Sequence, residues 1–321
     1  MTAQSDIEKD PPDFWCPRCH MKQLNRSGGY LVCTECSANY PVVKETPVLI
    51  NDDNSVFAIN DYMDKEYYEG ASYGSEVDST KGIRGIYRKI AHRLSEFSIK
   101  GRHLYAETAL SEFCSENIGR PRVLVIGAGT KRYPHPADFI YTDVTFGQDI
   151  CAIADAHDLP FGNEEFDFVL VIAVLEHVAD PQRVVSEIWR VLKPTGRVYA
   201  ATPFLQPVHM GAYDFTRFTY LGHRRLFRRF SDISSGMALG PGAVASWTIR
   251  SLFVSVTASR RGRQVASFAG LVFGLPFKFV DYFTRRSPSA IDSAGGVYFY
   301  GKKQENAITD RDMIKLYRGG F

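Results

Sequence analysis

The stretch Arg122-Val123-Leu124-Val125-Ile126-Gly127-Ala128-Gly129-Thr130 constrains this chain more than any other. Its first five residues are mostly apolar and β-branched, which predicts a strand buried on both faces, as in a parallel sheet. Gly127-Ala128-Gly129 breaks that strand with a turn that glycine makes cheaply, so backbone N–H groups can approach a polar ligand. A second strand is predicted over Phe139-Ile140-Tyr141-Thr142; it ends on Asp143, a carboxylate placed to accept neighbouring hydroxyls. Phe166 to Val178 reads as a third apolar strand running into a turn. Asp180-Pro181 is a helix start, with an N-cap aspartate before a proline at the first helical position. Val184, Val185, Ile188, Trp189, Val191 and Leu192 give that helix an apolar face. Lys193-Pro194-Thr195-Gly196 is expected to stop it, and Arg197-Val198-Tyr199-Ala200-Ala201 to form the next strand.

With 321 residues, 45 % of them hydrophobic, the chain can bury a full core and a small satellite domain. A net charge of +2 supplies no general polycation for nucleic acid. The polar, acidic N-terminus has neither the basic nor the apolar part of a secretory signal. No window reaches about 18 uncharged apolar residues, so no transmembrane helix is expected.

Four of the six cysteines stand in two C-x-x-C pairs, Cys16/Cys19 and Cys33/Cys36, with 13 residues between them. Each pair puts two thiolates on one side of a tight knuckle, and two knuckles complete a tetrahedron around Zn²⁺ at about 2.3 Å. The gap is slightly short for such motifs, whose inner spacing is about 15–20 residues, but fits a hairpin through Ser27-Gly28-Gly29-Tyr30. Closure by four sulfurs points to a structural metal. A dithiol redox pair is the rival, and it needs a single C-x-x-C on a βαβ frame. His20 is an alternative ligand by residue type, but next to Cys19 it is expected to face solvent. Cysteines used this way favour a reducing, cytoplasmic compartment.

Taken together, GAGT at 127–130, Asp143, DAHDLPF at 155–161, EEFDFVLVIAVLEHVADP at 164–181 and RVLKPTGRVYAATPF at 190–204 resemble the core of the class I S-adenosylmethionine-dependent methyltransferases, type 11 branch. The resemblance implies an α/β, Rossmann-like seven-stranded sheet with helices on both faces, plus the small N-terminal four-cysteine zinc ribbon. It also implies S-adenosylmethionine as cofactor. Gly127, Ala128 and Gly129 would pass under its methionine part, Asp143 would take the ribose, Asp155 and Ala156 the adenine, and Ala173 with its successors to His177 would floor the methyl group. NYPVVKETPVLI at 39–50 is similar to the end of the zinc ribbons found beside several methyltransferases, including the activator subunit of tRNA and ribosomal methyltransferases. Packing on its own catalytic domain is the default expectation for such a ribbon.

The chain departs from the family in two places. Val125 stands where an acidic residue is usual. Two prolines in Lys131-Arg132-Tyr133-Pro134-His135-Pro136 prevent a normal first helix. Against a dinucleotide site, Asp143 lies 14 residues after Gly129, where about 20 is usual. Arg132 occupies the third glycine position of that fingerprint.

The expected organisation is a ribbon over 1–50, a linker and basic amphipathic helix over 51–103, a methyltransferase domain over 104–303 and a polar tail over 304–321. Within the third, 231–290 reads as an apolar helical insertion. In the loop after the fifth strand, His209 is the candidate general base, Tyr213 a hydrogen-bond partner for the acceptor, and Asp214 the partner of His209 or Arg217. Asp149 and Asp158 read as ordinary loop carboxylates. The uncharged run Val265–Phe277 between basic flanks is expected to be buried on the domain or in a homodimer. The sharper alternative is a membrane-surface contact through 260–286, at the inner face of the membrane. The expected partner is a small-molecule, glycan or lipid-linked acceptor, with nucleic acid ranked below it. An RNA or tRNA methyltransferase guided by the ribbon and the basic 81–103 stretch, and a silent scaffold with a methyltransferase-like core, stay open as alternatives.

Overall fold

The computed structural model describes residues 12–63 and 104–320. The basic helix expected within 81–103, and the linker beyond Met63, lie outside the described residues.

The strands are β1 (Asn25–Ser27), β2 (Tyr30–Val32), β3 (Asn39–Val43), β4 (Thr46–Leu49), β5 (Arg122–Ile126), β6 (Asp138–Asp143), β7 (Ala152–Ala154), β8 (Phe166–Ile172), β9 (Leu192–Pro203), β10 (Phe230–Leu239) and β11 (Gly296–Lys303). The main helices are α1 (Asn60–Met63), α2 (Ala106–Glu116), α3 (Pro181–Val191), α4 (Tyr220–Leu226), α5 (Pro241–Ser255) and α6 (Arg260–Lys278).

The apolar run 122–126 does become a central strand. Around it the order is β7-β6-β5-β8-β9-β11-β10. The first five strands are parallel, and β11 inserts antiparallel between β9 and β10. This is the seven-stranded Rossmann-like sheet. It does not end at β7, because β4 pairs with it in parallel, Val48 opposite Ile153 and Leu49 opposite Ala154. The β1–β4 meander thereby extends the sheet to 11 strands.

Both faces of the sheet are covered. On one, Ala109, Leu110 and Phe113 of α2 pack among Val123, Phe168, Tyr199 and Tyr300. On the other, Val184, Val185, Ile188 and Val191 of α3 join Phe227, Phe230 and Phe299, together with Phe14 and Tyr40 from the N-terminal segment. Asp180 caps α3 as its sequence predicts, accepting the Arg183 N–H at 3.0 Å. The expected stop at 193–196 works differently. The helix ends at Val191, and these residues go straight into β9 as its extended first half.

The proline-rich 127–137 crossover carries no helix, and stacked aromatics cover the sheet there. Tyr133 lies on Phe139 with centroids 6.0 Å apart, and Phe139 on Tyr141 at 5.5 Å. The Arg132 guanidinium sits 4.6 Å from the centre of the Tyr141 ring and pairs with Asp149.

In the segment expected as a helical insertion, residues 230–239 form β10 before the chain enters the α5–α6 hairpin. The two helices approach along small residues; a Cβ at Gly274 would lie 2.8 Å from the Ser246 carbonyl oxygen. At the base, the Asp281 carboxylate accepts the N–H groups of Gly242 (2.6 Å) and Ala243 (3.0 Å). The expectation that the hairpin is buried on its own domain is met by one side only. The helices satisfy each other through small residues, which leaves large apolar ones outside: Val265 and Phe273 are 72 % and 64 % exposed, and Phe283, in the short helix Asp281–Thr284 that follows, is 77 % exposed. By length and composition, Arg260–Thr284 is also sufficient to cross a membrane, with mean hydropathy 1.3 and 33 % of that window buried. Lys278 and the arginines at 260, 261 and 263 interrupt the apolar run, which is why it holds no uncharged window of about 18 residues.

Candidate functional site

The four cysteine sulfurs converge. Cys16 and Cys36 Sγ are 3.6 Å apart, Cys19 and Cys33 Sγ also 3.6 Å, and all four lie within 4.8 Å of one another. A tetrahedral ion with ligands at about 2.3 Å needs sulfur–sulfur edges of about 3.8 Å, so the set fits Zn²⁺. The ribbon packs on the domain that follows it, as expected by default: the Trp15 N–H donates to the Pro160 carbonyl at 2.9 Å, and Phe14 meets Phe161. His20, expected to face solvent, has φ 53° and turns inward, its Nε2 3.5 Å from Asp158 Oδ1. Asp158 is correspondingly more than a loop carboxylate. It is buried and accepts bonds from Asn51 and Arg183, joining the ribbon to α3.

At the C-terminal ends of β5, β6 and β8 lies a narrow cleft of about 60 Å³, where open α/β sheets place their ligands. Gly127 adopts φ 62°, and a Cβ there would lie 2.3 Å from Val174 Cγ2, so only glycine fits. At Gly129 (φ 50°) a Cβ would meet nothing within 4 Å. Asp143 is buried and lines the cleft, facing the glycine turn. Its Oδ2 accepts the Gly129 N–H at 2.8 Å, and its Oδ1 accepts the Thr145 N–H at 3.0 Å and hydroxyl at 2.9 Å. Three of about four lone-pair positions on the carboxylate are thereby used. Ala128 lies buried in the turn, its N–H bonded to the Thr142 carbonyl.

Asp155 and Ala156 line the same cleft. Asp155 Oδ1 accepts the His157 N–H at 3.0 Å and lies 2.6 Å from His157 Nδ1; Ser55 donates to Oδ2. His157 Nε2 accepts the Asp180 N–H, which assigns the ring proton to Nδ1. Burial alone would raise the Asp155 pKa, but the bonds from His157 and Ser55 more than offset it and hold it below the usual range. Ala173 is not part of the lining. It sits exposed at φ 54°, its N–H tied to the Ala201 carbonyl, and Val174, His177 and Val178 form the wall that its neighbourhood was expected to supply. Ser55, Val56 and Phe57 close the cleft from above, Phe57 stacked on Tyr213 at 5.7 Å. No sequence motif marks them.

In the loop after β9, Asp214 serves both partners proposed for it. Arg217 grips its two oxygens, and Oδ2 also accepts the His209 backbone N–H at 2.9 Å, with His209 Nδ1 3.4 Å away. The Arg217 guanidinium holds the Asp214 carboxyl far below the usual carboxylate range. Asp214 thus braces the loop. Tyr213 lines the cleft with its side chain, and its carbonyl accepts from His177 Nδ1 at 2.8 Å. The His177 and His209 rings meet edge-on at 4.8 Å. Beyond His209 opens a wider cavity of about 470 Å³, between Gln206–His209 and the Trp247, Arg250 and Val254 side of α5.

Glu176 lies within the 173–177 stretch expected to floor the methyl group, but sequence reasoning gave it no role of its own. Its side chain is 1 % exposed, and neither carboxylate oxygen has a hydrogen-bond partner among the described residues. Burial pushes its pKa up to about 7, against the pull of its own amide and of Arg217. An acid in an apolar turn beside a histidine was the available signal.

Residues 139–200 match the family model described as a methyltransferase domain. The chain carries a methyltransferase domain. It is 35 % identical over 97 residues to an uncharacterized protein of Methanocaldococcus jannaschii, covering 27 % of this chain and 47 % of that protein. It is 47 % identical over 64 residues to a demethylmenaquinone methyltransferase of Clavibacter sepedonicus, covering 19 % of this chain and 26 % of that one. The chain thus spans less than half the length of these curated relatives. Among solved structures, phosphoethanolamine N-methyltransferase 2 of Haemonchus contortus, in complex with S-adenosyl-L-methionine, is similar at 16 % identity and a TM-score of 0.40, over 74 % of this chain and 61 % of that one.

Proposed function

We propose that this protein transfers a methyl group from S-adenosylmethionine to an oxygen or nitrogen acceptor on a small molecule, a glycan or a lipid-linked substrate. The observation that carries this reading is Asp143, whose carboxylate lines the same cleft as the open glycine turn, on a domain that matches a methyltransferase family. The residues fit the cofactor: Asp143 would hold the ribose, Asp155 and Ala156 the adenine, and the space beside Gly129 the methionine part. When bound, the cofactor supplies an electrophilic methyl group on a sulfonium. Cofactor access requires Ser55–Phe57 to swing aside, because bound small molecules fill about 300–1,000 Å³ and the cleft is far smaller. Once closed, Phe57 on Tyr213 excludes water. Orienting the two reactants contributes up to about 7–11 kcal/mol to such a reaction. His209, at the mouth of the wider cavity, is the group best placed to meet the acceptor atom that loses its proton. In calorimetry with S-adenosylhomocysteine, Asp143→Ala is expected to abolish binding while His209→Ala spares it. Unchanged affinity in Asp143→Ala refutes the site, and no binding by the wild type makes the domain a scaffold.

A second reading concerns where the acceptor comes from. The α5 helix lines the wider cavity on one side and carries exposed Leu252 on another, and the apolar outer face of α6 lies between Arg260, Arg261 and Arg263 at one end and Arg285 and Arg286 at the other. Such a face suits the interface of an anionic membrane and a lipid-linked acceptor. The wild type should co-sediment with anionic vesicles and the Phe273→Glu/Phe283→Glu variant should not. A wild type that stays in the supernatant ends this reading.

A further inference from the structure

We propose that Glu176, His177 and His209 form a binding site for one divalent first-row transition cation, set between the adenosyl-side cleft and the wider cavity. One ligand atom from each lies within 4.8 Å of the others. Glu176 and His177 come from the turn after β8 and His209 from the loop after β9, adjacent parallel strands whose C-terminal ends meet at this point.

Two features of the cluster point to a ligand. The first is Glu176 itself, a carboxylate 1 % exposed and, among the described residues, without a hydrogen-bond partner on either oxygen. A buried, unpaired acid is costly unless a charge or donor arrives to meet it. The second is the way the His177 imidazole is held from behind. His177 Nδ1 bonds the Tyr213 carbonyl at 2.8 Å, which turns Nε2 toward Glu176 Oε1, 3.7 Å away. His209 Nδ1 lies 3.4 Å from Asp214 Oδ2, on a carboxylate that Arg217 clamps in place. The Tyr213 carbonyl thereby fixes the His177 tautomer that leaves Nε2 as a metal donor, whereas His209 is only near Asp214 and its ring can turn.

Ligand bonds of about 2.0–2.2 Å place neighbouring donor atoms about 3–3.5 Å apart. The Glu176–His177 pair is near that spacing already, and rotation of the half-exposed His209 ring closes the rest. Two imidazoles with one carboxylate select Mn²⁺, Fe²⁺, Co²⁺ or Zn²⁺ over the harder Mg²⁺ and Ca²⁺. His177 lines the narrow cleft and His209 the wider cavity, so the remaining coordination positions face the place where an acceptor would sit. A hydroxyl bound there loses its proton more readily. His209 then acts as a ligand and not as a general base. The binding claim stands alone; the role toward an acceptor rests on the methyl-transfer reading.

The test titrates Mn²⁺ into the full-length chain with its cysteine site loaded with zinc, following the free Mn²⁺ signal by electron paramagnetic resonance. One Mn²⁺ per chain is expected beyond the zinc. His209→Ala should weaken uptake at least tenfold, and Glu176→Gln should abolish it with zinc content unchanged. If Glu176→Gln does not fold, His209→Ala, altered on an exposed loop, decides. No uptake by the wild type, or unaltered uptake by His209→Ala, overturns the site. Calorimetry with S-adenosylhomocysteine on the same samples separates the two claims: Mn²⁺ uptake without nucleoside binding upholds the cation site and removes the methyl-transfer reading.

Discussion

Replacing Gly127 by alanine tests the geometry of the glycine turn directly. A side chain at φ 62° costs about 1–2 kcal/mol, because its Cβ crowds the following carbonyl. The new methyl group would also lie 2.3 Å from Val174 Cγ2, well inside contact distance. Overpacking of that kind costs about 1–3 kcal/mol. The expected loss is therefore about 2–5 kcal/mol, from a total that for domains of this kind is about 5–15 kcal/mol. The two parts separate in a double mutant. Val174→Ala removes the colliding methyl and leaves the backbone strain, so the pair should show a favourable coupling of about 1–3 kcal/mol. Urea unfolding followed by circular dichroism measures both, as shifts in midpoint at unchanged slope. A Gly127→Ala protein as stable as the wild type, or a coupling of zero, would refute the reasoning.

Two further predictions concern stability. Because its folded pKa is lowered, Asp155 stabilises the fold above the ordinary aspartate value of about 3.9, and that contribution is lost as pH falls through the folded pKa. The gap in urea midpoint between wild type and Asp155→Asn should be constant from neutral pH to about 5 and shrink below about 4; a gap that persists unchanged in acid contradicts the assignment. Stripping zinc with a chelator should lower the melting temperature of the whole sheet, since β4 is paired to β7 and Asp158 ties His20 to α3. Loss of the ribbon signal alone, with the main transition unmoved, would show that the two parts unfold separately.

What the sequence disclosed was local. A β-branched run, a glycine pair, an aspartate before a proline and two C-x-x-C knuckles each encode their geometry within a few residues, and β5, the cleft turn, α3 and the sulfur cluster result. Contacts across long separations were not legible. Ser55 reaches Asp155 across 100 residues, and Asn51 reaches Asp158 across 107. Glu176 looked like any acid in a turn, because isolation from hydrogen-bond partners is a property of the assembled loops. The hairpin is the reverse case. Its apolar pattern was plain, but pattern alone does not say that two helices will close on each other through glycine and serine and leave their phenylalanines outside.

The crossover without a helix shapes the chemistry of the cleft. In dinucleotide folds the glycine turn opens onto a helix, whose first N–H groups carry about half a positive charge and attract a diphosphate. Here Thr130 leads into prolines and stacked rings, and the nearby cations are already engaged, Lys131 with Glu107 and Arg132 with Asp149. The turn therefore lends the pocket no helix field to attract phosphate and none to repel a cationic centre. A turn deprived of its helix thus meets an anionic nucleotide and a cationic centre with the same nearly neutral backbone.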